Sequence, residues 1–254
     1  MVLETFRLNG KNALVTGSSR GLGSAIAIAL AQAGANVGCH GRSANGTATS
    51  EKIRQLGCKS FYLAGDISDL QVHPALVDKT IAEFGSIDIL VNNAGTIQRA
   101  PAVEYLQSAW DELIATNLTA VFRLTQLAGK DMLKRGTRGK IVNIASLLSF
   151  QGGMLVPAYA AAKGGVAQLT KAFANEWAAK GINVNAIAPG YMATDNTAAL
   201  RKDLDRSHKI LERIPAGRWG EANDIAGAAV FLCSPASDYV HGHILPVDGG
   251  WLGR

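Results

Sequence analysis

The chain has 254 residues, 48% hydrophobic and 18% charged, which supplies a packed core and excludes a disordered chain. Its 25 Lys and Arg against 20 Asp and Glu leave a net charge of +5, compatible with anionic ligands but with no nucleic-acid surface: the densest basic stretch, Lys134 to Lys140, is broken by Gly136 and reads as a solvated helix end. Cys39, Cys58 and Cys233 fit neither a disulfide framework nor a metal site, no signal pattern follows Met1 and no apolar run reaches the roughly 18 residues of a membrane span, so a soluble, cytoplasmic protein is expected.

Short β-branched runs alternate with helical patterns from end to end, which predicts an α/β fold on a doubly wound parallel sheet of about seven strands. A strand at 12–16 precedes a helix at 22–33, rich in Ala, Ile and Leu and stopped by Gly34. Strands follow at 36–40, 60–64 and 87–92, separated by helices at 47–56 and 74–84. A long helix at 108–134 leads to a strand at 140–145, and another at 159–179 to a strand at 182–188. Residues 191–219 are polar, charged and without a strand pattern, so they read as a helical lid inserted into a single domain spanning 1–254. His241 and His243 stand two apart on a further expected strand, but no third ligand has suitable spacing and no metal is expected.

Glycine is in excess, 28 against 7 prolines. Three of these glycines lie in Thr16-Gly17-Ser18-Ser19-Arg20-Gly21-Leu22-Gly23, between the first strand and its helix. Glycines there let the backbone approach a pyrophosphate, and the first amides of the helix supply donors and a positive dipole end. A tight turn without a ligand would use the same residues. The G-x-x-x-G-x-G spacing resembles the first turn of the short-chain dehydrogenase/reductase family. Asn92-Asn93-Ala94-Gly95 resembles that family's second motif, Ser146 with Tyr159 and Lys163 its catalytic set, and Pro189-Gly190 the turn after its sixth strand. The resemblance covers nearly the whole chain and implies a Rossmann-type fold, hydride transfer with a nicotinamide dinucleotide, and assembly into dimers or tetramers.

Tyr159 and Lys163, four positions apart on one helix, project from one face. A phenol titrates near pH 10, and an adjacent ammonium lowers that value, so Tyr159 is the expected general acid/base. Ser146, at the carboxyl end of its strand, is placed to polarise a carbonyl. The resemblance adds that Lys163 orients the nicotinamide ribose and that Asn117 holds a water in the proton relay.

No carboxylate ends the second strand, where an NAD-specific site places one for the ribose hydroxyls; the sequence there is His40-Gly41-Arg42. Arg42, with Arg20 in the glycine turn, suits a 2′-phosphate, so NADP is favoured and NAD stays open. By resemblance, Ser19 and Leu22 belong to the phosphate turn, and Asp66 and Ile67 flank the adenine. Asn93, Ala94 and Gly95 line the middle of the cleft, and Pro189, Gly190, Met192 and Thr194 face the nicotinamide end. Over residues 84–254 a narrower resemblance, to the subgroup acting on 2-dehydro-3-deoxy-D-gluconate and related deoxygluconates, implies a sugar-acid substrate. Arg99 and Arg218 are the candidate carboxylate ligands, with Gln151, Tyr191 and Asn196 for hydroxyls. A 3-oxoacyl-thioester (acyl carrier protein) reductase is the alternative enzyme, and a non-catalytic cofactor-binding regulator the alternative of another class.

Overall fold

A computed structural model describes residues 1–254. The strands are β1 (Asn12–Val15), β2 (Asn36–Gly41), β3 (Ser60–Ala64), β4 (Ile89–Asn92), β5 (Gly139–Ile144), β6 (Ile182–Pro189) and β7 (Ile244–Val247). They form one parallel sheet in the order β3-β2-β1-β4-β5-β6-β7. Parallel strands covered on both faces must be apolar along their length, and β1, β4, β5 and β6 are buried at every position.

Successive residues of β1 point to opposite faces. Ala13 and Val15 pack with Ile26 and Leu30 of α1 (Gly21–Gln32), Ile53 of α2 (Ala48–Gln55) and Leu232 of α9 (Ala226–Cys233), while Leu14 packs with the opposite layer. That second layer consists of α3 (Val72–Phe84), α5 (Ala120–Arg135) and α6 (Pro157–Trp177), through Leu76, Leu124, Met132 and Trp177. Because the chain runs outward from β1 to β3 and then returns to the centre at β4, the helices after β1 and β4 lie on opposite faces. A crevice opens between the carboxyl ends of these two strands, where α/β sheets bind ligands.

Several boundaries differ from the sequence reading. The helix expected at 108–134 is interrupted: α4 (Gln107–Ile114) passes into a π-turn at Ala115–Thr119 before α5 begins. Spending five residues on one turn disrupts the i to i−4 ladder, and such turns gather at functional sites. The helix expected from Pro74 begins at Val72, since proline is tolerated in a first turn. His241 and His243 precede β7 rather than lying on it, because Asn183 and Asn185 tie this stretch to β6: Asn183 Nδ2 meets His241 Nε2 at 3.2 Å and Asn185 Oδ1 accepts from the His243 N–H at 3.0 Å. Within 191–219 the chain forms a 3₁₀ turn at Asp195–Thr197 and two short helices, α7 (Ala198–Lys202) and α8 (Leu204–Arg213), and α9 (Ala226–Cys233) follows. No helix is long and apolar enough to cross a membrane.

Candidate functional site

The floor of the crevice is a reciprocal clamp between the ends of β1 and β4. Thr16 Oγ1 accepts from the main-chain N–H of Asn93 and of Ala94, each at 3.0 Å. The Asn93 amide donates in return to the carbonyls of Thr16 (2.9 Å) and Gly17 (3.0 Å). Glycine is obligatory here for contact as well as for turning: Gly17 has φ +62° and a Cβ would lie 2.8 Å from Ala94 Cα, and a Cβ on Gly23 would lie 2.3 Å from the Gly17 carbonyl oxygen. α1 begins at Gly21 with no side chain capping it, so the first amides of Gly21, Leu22 and Gly23 are left for an anion. This cradle fits a pyrophosphate.

At the β2 and β3 side of the crevice, the Asp66 carboxylate accepts from the Ser68 N–H (2.9 Å) and hydroxyl (2.8 Å), bonds that hold it below the usual carboxylate range, with a smaller contribution from Arg42. Ile67 beside it is buried. Ser19 faces Gly41 so closely that a Cβ there would sit 3.0 Å from the serine side chain. Arg42 is exposed at the end of β2. Arg20 is exposed too, but its Nε pairs with Asp195 at 3.2 Å, which joins the glycine turn to the 191–219 segment.

At the other end, Gly95 abuts the buried Asn117, whose Nδ2 donates to the Thr96 carbonyl (2.8 Å) and whose Oδ1 accepts from the Thr96 N–H (2.9 Å). Both ends of the Asn117 amide are thus engaged, and the residue lies within the π-turn. Pro189 and Gly190 close β6 against Asp248, where a Cβ on Gly190 would approach Asp248 Cα to 2.6 Å. Met192 is buried behind them, and the Thr194 side chain stands over Gly21.

Ser146 follows β5 as the cap of a short 3₁₀ turn, its hydroxyl accepting from the Leu148 N–H at 3.2 Å. Ser149, which the sequence reading missed, secures this turn: its Oγ accepts from the Ser146 N–H (3.3 Å) and donates to the Lys163 carbonyl (2.7 Å). The Ser-x-x-Ser spacing of a capping box was the available signal. Tyr159 in α6 faces Ser146. Burial pushes its hydroxyl up from the ordinary value of 10, and the Ser146 hydrogen bond and the Arg99 charge pull the other way.

The structure departs from the expected lowering of the Tyr159 hydroxyl by an adjacent Lys163 ammonium: the hydroxyl is raised, and Lys163 is turned to another partner. Lys163 Nζ lies 5.7 Å from the centre of the Tyr159 ring and donates to the Ile144 carbonyl at the end of β5. Desolvation explains the choice, since a nearly dry ammonium takes the nearest carbonyl; burial lowers its pKa from 10.5 to about 8. An unfolded lysine keeps its proton to higher pH, so this group's penalty on folding is complete below pH 8 and vanishes as pH rises to 10.5. Relative to Lys163→Met, the wild-type chain is expected to gain about 3 kcal/mol from neutral pH to about pH 10.5, measured by denaturant melts.

The substrate candidates do not all converge. Arg99 reaches from the loop after β4 to the Asn196 carbonyl (3.4 Å), and its charge, with Ser146, favours ionisation of the Tyr159 hydroxyl against the effect of burial. Gln151 Oε1 accepts from Trp251 Nε1 (3.4 Å), and Tyr191 packs between Trp219 and Trp251. Arg218 stands apart. It forms a two-pronged ion pair with Asp224 (2.7 and 2.9 Å), which holds that carboxyl at about 2 and leaves its own charge answered. A cavity of about 230 Å³ is lined by Tyr191, Met192, Ile214, Arg218 and Asp248, with neither Tyr159 nor Ser146 in its wall.

A family model described as enoyl-(acyl carrier protein) reductase matches residues 17–252. The chain is 55% identical to a 2-dehydro-3-deoxy-D-gluconate 5-dehydrogenase of Bacillus subtilis, over 99% of this chain and 98% of that one. A solved Agrobacterium tumefaciens structure with bound NADP, provisionally described as a 2-deoxy-D-gluconate 3-dehydrogenase, is 57% identical with a TM-score of 0.92, covering 98% and 99% of the two chains. A gluconate 5-dehydrogenase from Burkholderia cenocepacia, solved with NADP and tartrate, is 41% identical with a TM-score of 0.95 over the full length of both. With the sheet order, the glycine turn and the Ser146, Tyr159 and Lys163 positions all in place, the chain is a member of the short-chain dehydrogenase/reductase family of oxidoreductases.

Proposed function

We propose that the chain interconverts a keto and a hydroxyl group on a deoxy sugar acid of the 2-dehydro-3-deoxy-D-gluconate or 2-deoxy-D-gluconate type, using NADP(H). The observation that carries this reading is that Ser146 and the charge of Arg99 both bear on the Tyr159 hydroxyl, while Arg99 also reaches the Asn196 carbonyl. A sugar acid needs a cation for its carboxylate, and Arg99 supplies one within the field of the acid/base group. The names of the relatives, and the hydroxy-diacid tartrate in the Burkholderia structure, support the substrate class.

A nicotinamide ring supplies or takes the hydride when bound. Ser146 donates to the carbonyl oxygen and stabilises its developing charge. Tyr159, kept protonated by burial, donates its phenolic proton to the nascent alkoxide in the reductive direction and receives it back in the oxidative one. Lys163 orients the ribose and feeds the relay, and since Thr96 occupies the Asn117 side chain, the relay water rests on main chain of the π-turn. Residues 191–219 serve as a substrate lid, tied across the crevice through Asp195 and Asn196. A dimer or tetramer fits the stacked Phe122 and Phe173 on α5 and α6, with Phe122 37% exposed. Three free thiols suit a reducing, cytoplasmic setting.

The cofactor preference rests on Arg42 and Arg20 and on the missing carboxylate at the end of β2. Arg42→Asp is expected to lower the ratio of NADP to NAD efficiency by roughly 10- to 100-fold, the worth of one charge-assisted phosphate contact. An unchanged ratio removes Arg42 from the phosphate site. The family model's description favours a second reading, a reductase of acyl thioesters. Assaying deoxygluconates and an acetoacetyl thioester side by side, each with both cofactors, decides between them; binding of NADPH with no carbonyl reduced would instead favour a regulatory protein.

A further inference from the structure

Two buried histidines outside the proposed catalytic set bracket the acidic turn at the adenosine end. His40, 2% exposed in β2, touches two loops at once: its Nδ1 accepts from the Gly17 N–H at 3.2 Å, and its Nε2 lies 3.0 Å from the Gly65 carbonyl. A carbonyl only accepts, so Nε2 carries the proton and Nδ1 is left with the lone pair that Gly17 needs. Both contacts therefore demand the same neutral tautomer. Burial favours that neutral form and outweighs the opposing pull of the Gly65 hydrogen bond and of Asp66. His73, fully buried near the start of α3, places Nε2 2.8 Å from the Ile67 carbonyl, which fixes the same tautomer, while its Nδ1 is buried without a partner.

Besides the main-chain bonds of Gly65 N–H to Gly41 and of Asp69 N–H to Asp66, the turn Gly65-Asp66-Ile67 is held at three further points. His40 takes the carbonyl before Asp66, His73 takes the carbonyl after it, and Ser68 takes Oδ1 of the carboxylate, leaving Oδ2 unengaged. Through Gly17, His40 also ties this turn to the phosphate cradle. Leucine would fill the same space without satisfying either carbonyl, so packing alone does not explain an imidazole at each place.

We propose that His40 and His73 are positioning residues for the adenosine half of the dinucleotide site, each neutral imidazole donating through Nε2 to one of the two carbonyls that flank Asp66, with His40 also fixing the glycine turn. The proposal rests on the cofactor reading given above. Neither ring touches the reacting centre, so their effect falls on cofactor affinity rather than on turnover.

The test is NADPH titration of the purified chain by fluorescence, alongside kcat and KM on the deoxygluconate it turns over. His40→Leu and His73→Leu are expected to weaken NADPH about tenfold or more, the loss of a buried hydrogen bond, with kcat within about twofold. His73→Gln keeps a donor where Nε2 was and should return to within about threefold of wild type. His40→Gln and His40→Asn, which keep one of the two contacts each, should fall between wild type and His40→Leu. Wild-type NADPH affinity in the folded leucine variants overturns the proposal, as do glutamine variants no better than leucine. If the leucine variants fail to fold, the graded order of the amide variants decides. Failure of the wild-type chain to bind NADPH or NADH strikes the cofactor reading itself.

Discussion

Tyr159→Phe is expected to lower kcat by about 10³-fold in both directions while changing NADPH affinity less than about twofold. The phenylalanine ring keeps the packing of Tyr159 and loses only the hydroxyl that faces Ser146. With no proton to give, the alkoxide must be protonated by water, and a positioned general acid is worth 10² to 10⁴ in rate. The pH dependence carries a sign as well. Because burial raises the Tyr159 hydroxyl, the acid form prevails at neutral pH, so carbonyl reduction proceeds there while alcohol oxidation rises toward alkaline pH as the phenolate forms. Stopped-flow nicotinamide absorbance in each direction, from neutral to alkaline pH, reads both effects; turnover within tenfold of wild type would remove Tyr159 from the reaction.

Gly23→Ala should be the most damaging single methyl group in the cleft. Its Cβ would fall 2.3 Å from the Gly17 carbonyl oxygen and 2.4 Å from Asn93 Nδ2, and both of those atoms are held by the clamp between β1 and β4. No flexible side-chain end is available to yield, so the turn itself must move. A cost of about 3 kcal/mol in stability and a loss of NADPH binding exceeding roughly 100-fold are expected. Gly227→Ala in α9 is the control. Nothing lies within 4 Å of its Cβ position, so alanine there should be neutral or stabilising by up to about 1 kcal/mol through helix propensity. Thermal melts and NADPH titration of both variants check the contrast, and a Gly23→Ala chain with wild-type affinity would mean that the turn is not the phosphate site.

What could be read without coordinates was whatever is local in sequence. Runs such as 12–16, 140–145 and 182–188 announce the buried parallel strands that the structure places at 12–15, 139–144 and 182–189, and the glycine spacing announces its turn, because each depends on neighbours along the chain. The π-turn at Ala115–Thr119 is not legible in sequence, since no local pattern marks a bulge and Asn117 within it hydrogen-bonds the main chain of Thr96, twenty-one residues away. Arg218 looked like a free cation because Asp224 is an ordinary surface residue in sequence and only the turn at Gly220 brings the two together. Helical spacing alone suggests that Lys163 lowers the Tyr159 phenol, whereas the atom that takes its ammonium, the Ile144 carbonyl, lies nineteen residues away on another element. His40 and His73 carried no signal, being single histidines in apolar segments.

The clamp of Thr16 and Asn93 also bears on how such a site can change. Its four hydrogen bonds lock the ends of β1 and β4 together, so the central wall of the crevice is rigid regardless of what lies at either rim. On the proposed reading, substitutions at Arg42 then retune the preference for one dinucleotide over another, and substitutions around Arg99 and Asn196 the acid that is accepted, without moving the wall between them. Cofactor choice and substrate choice become separately evolvable traits hinged on one immobile centre.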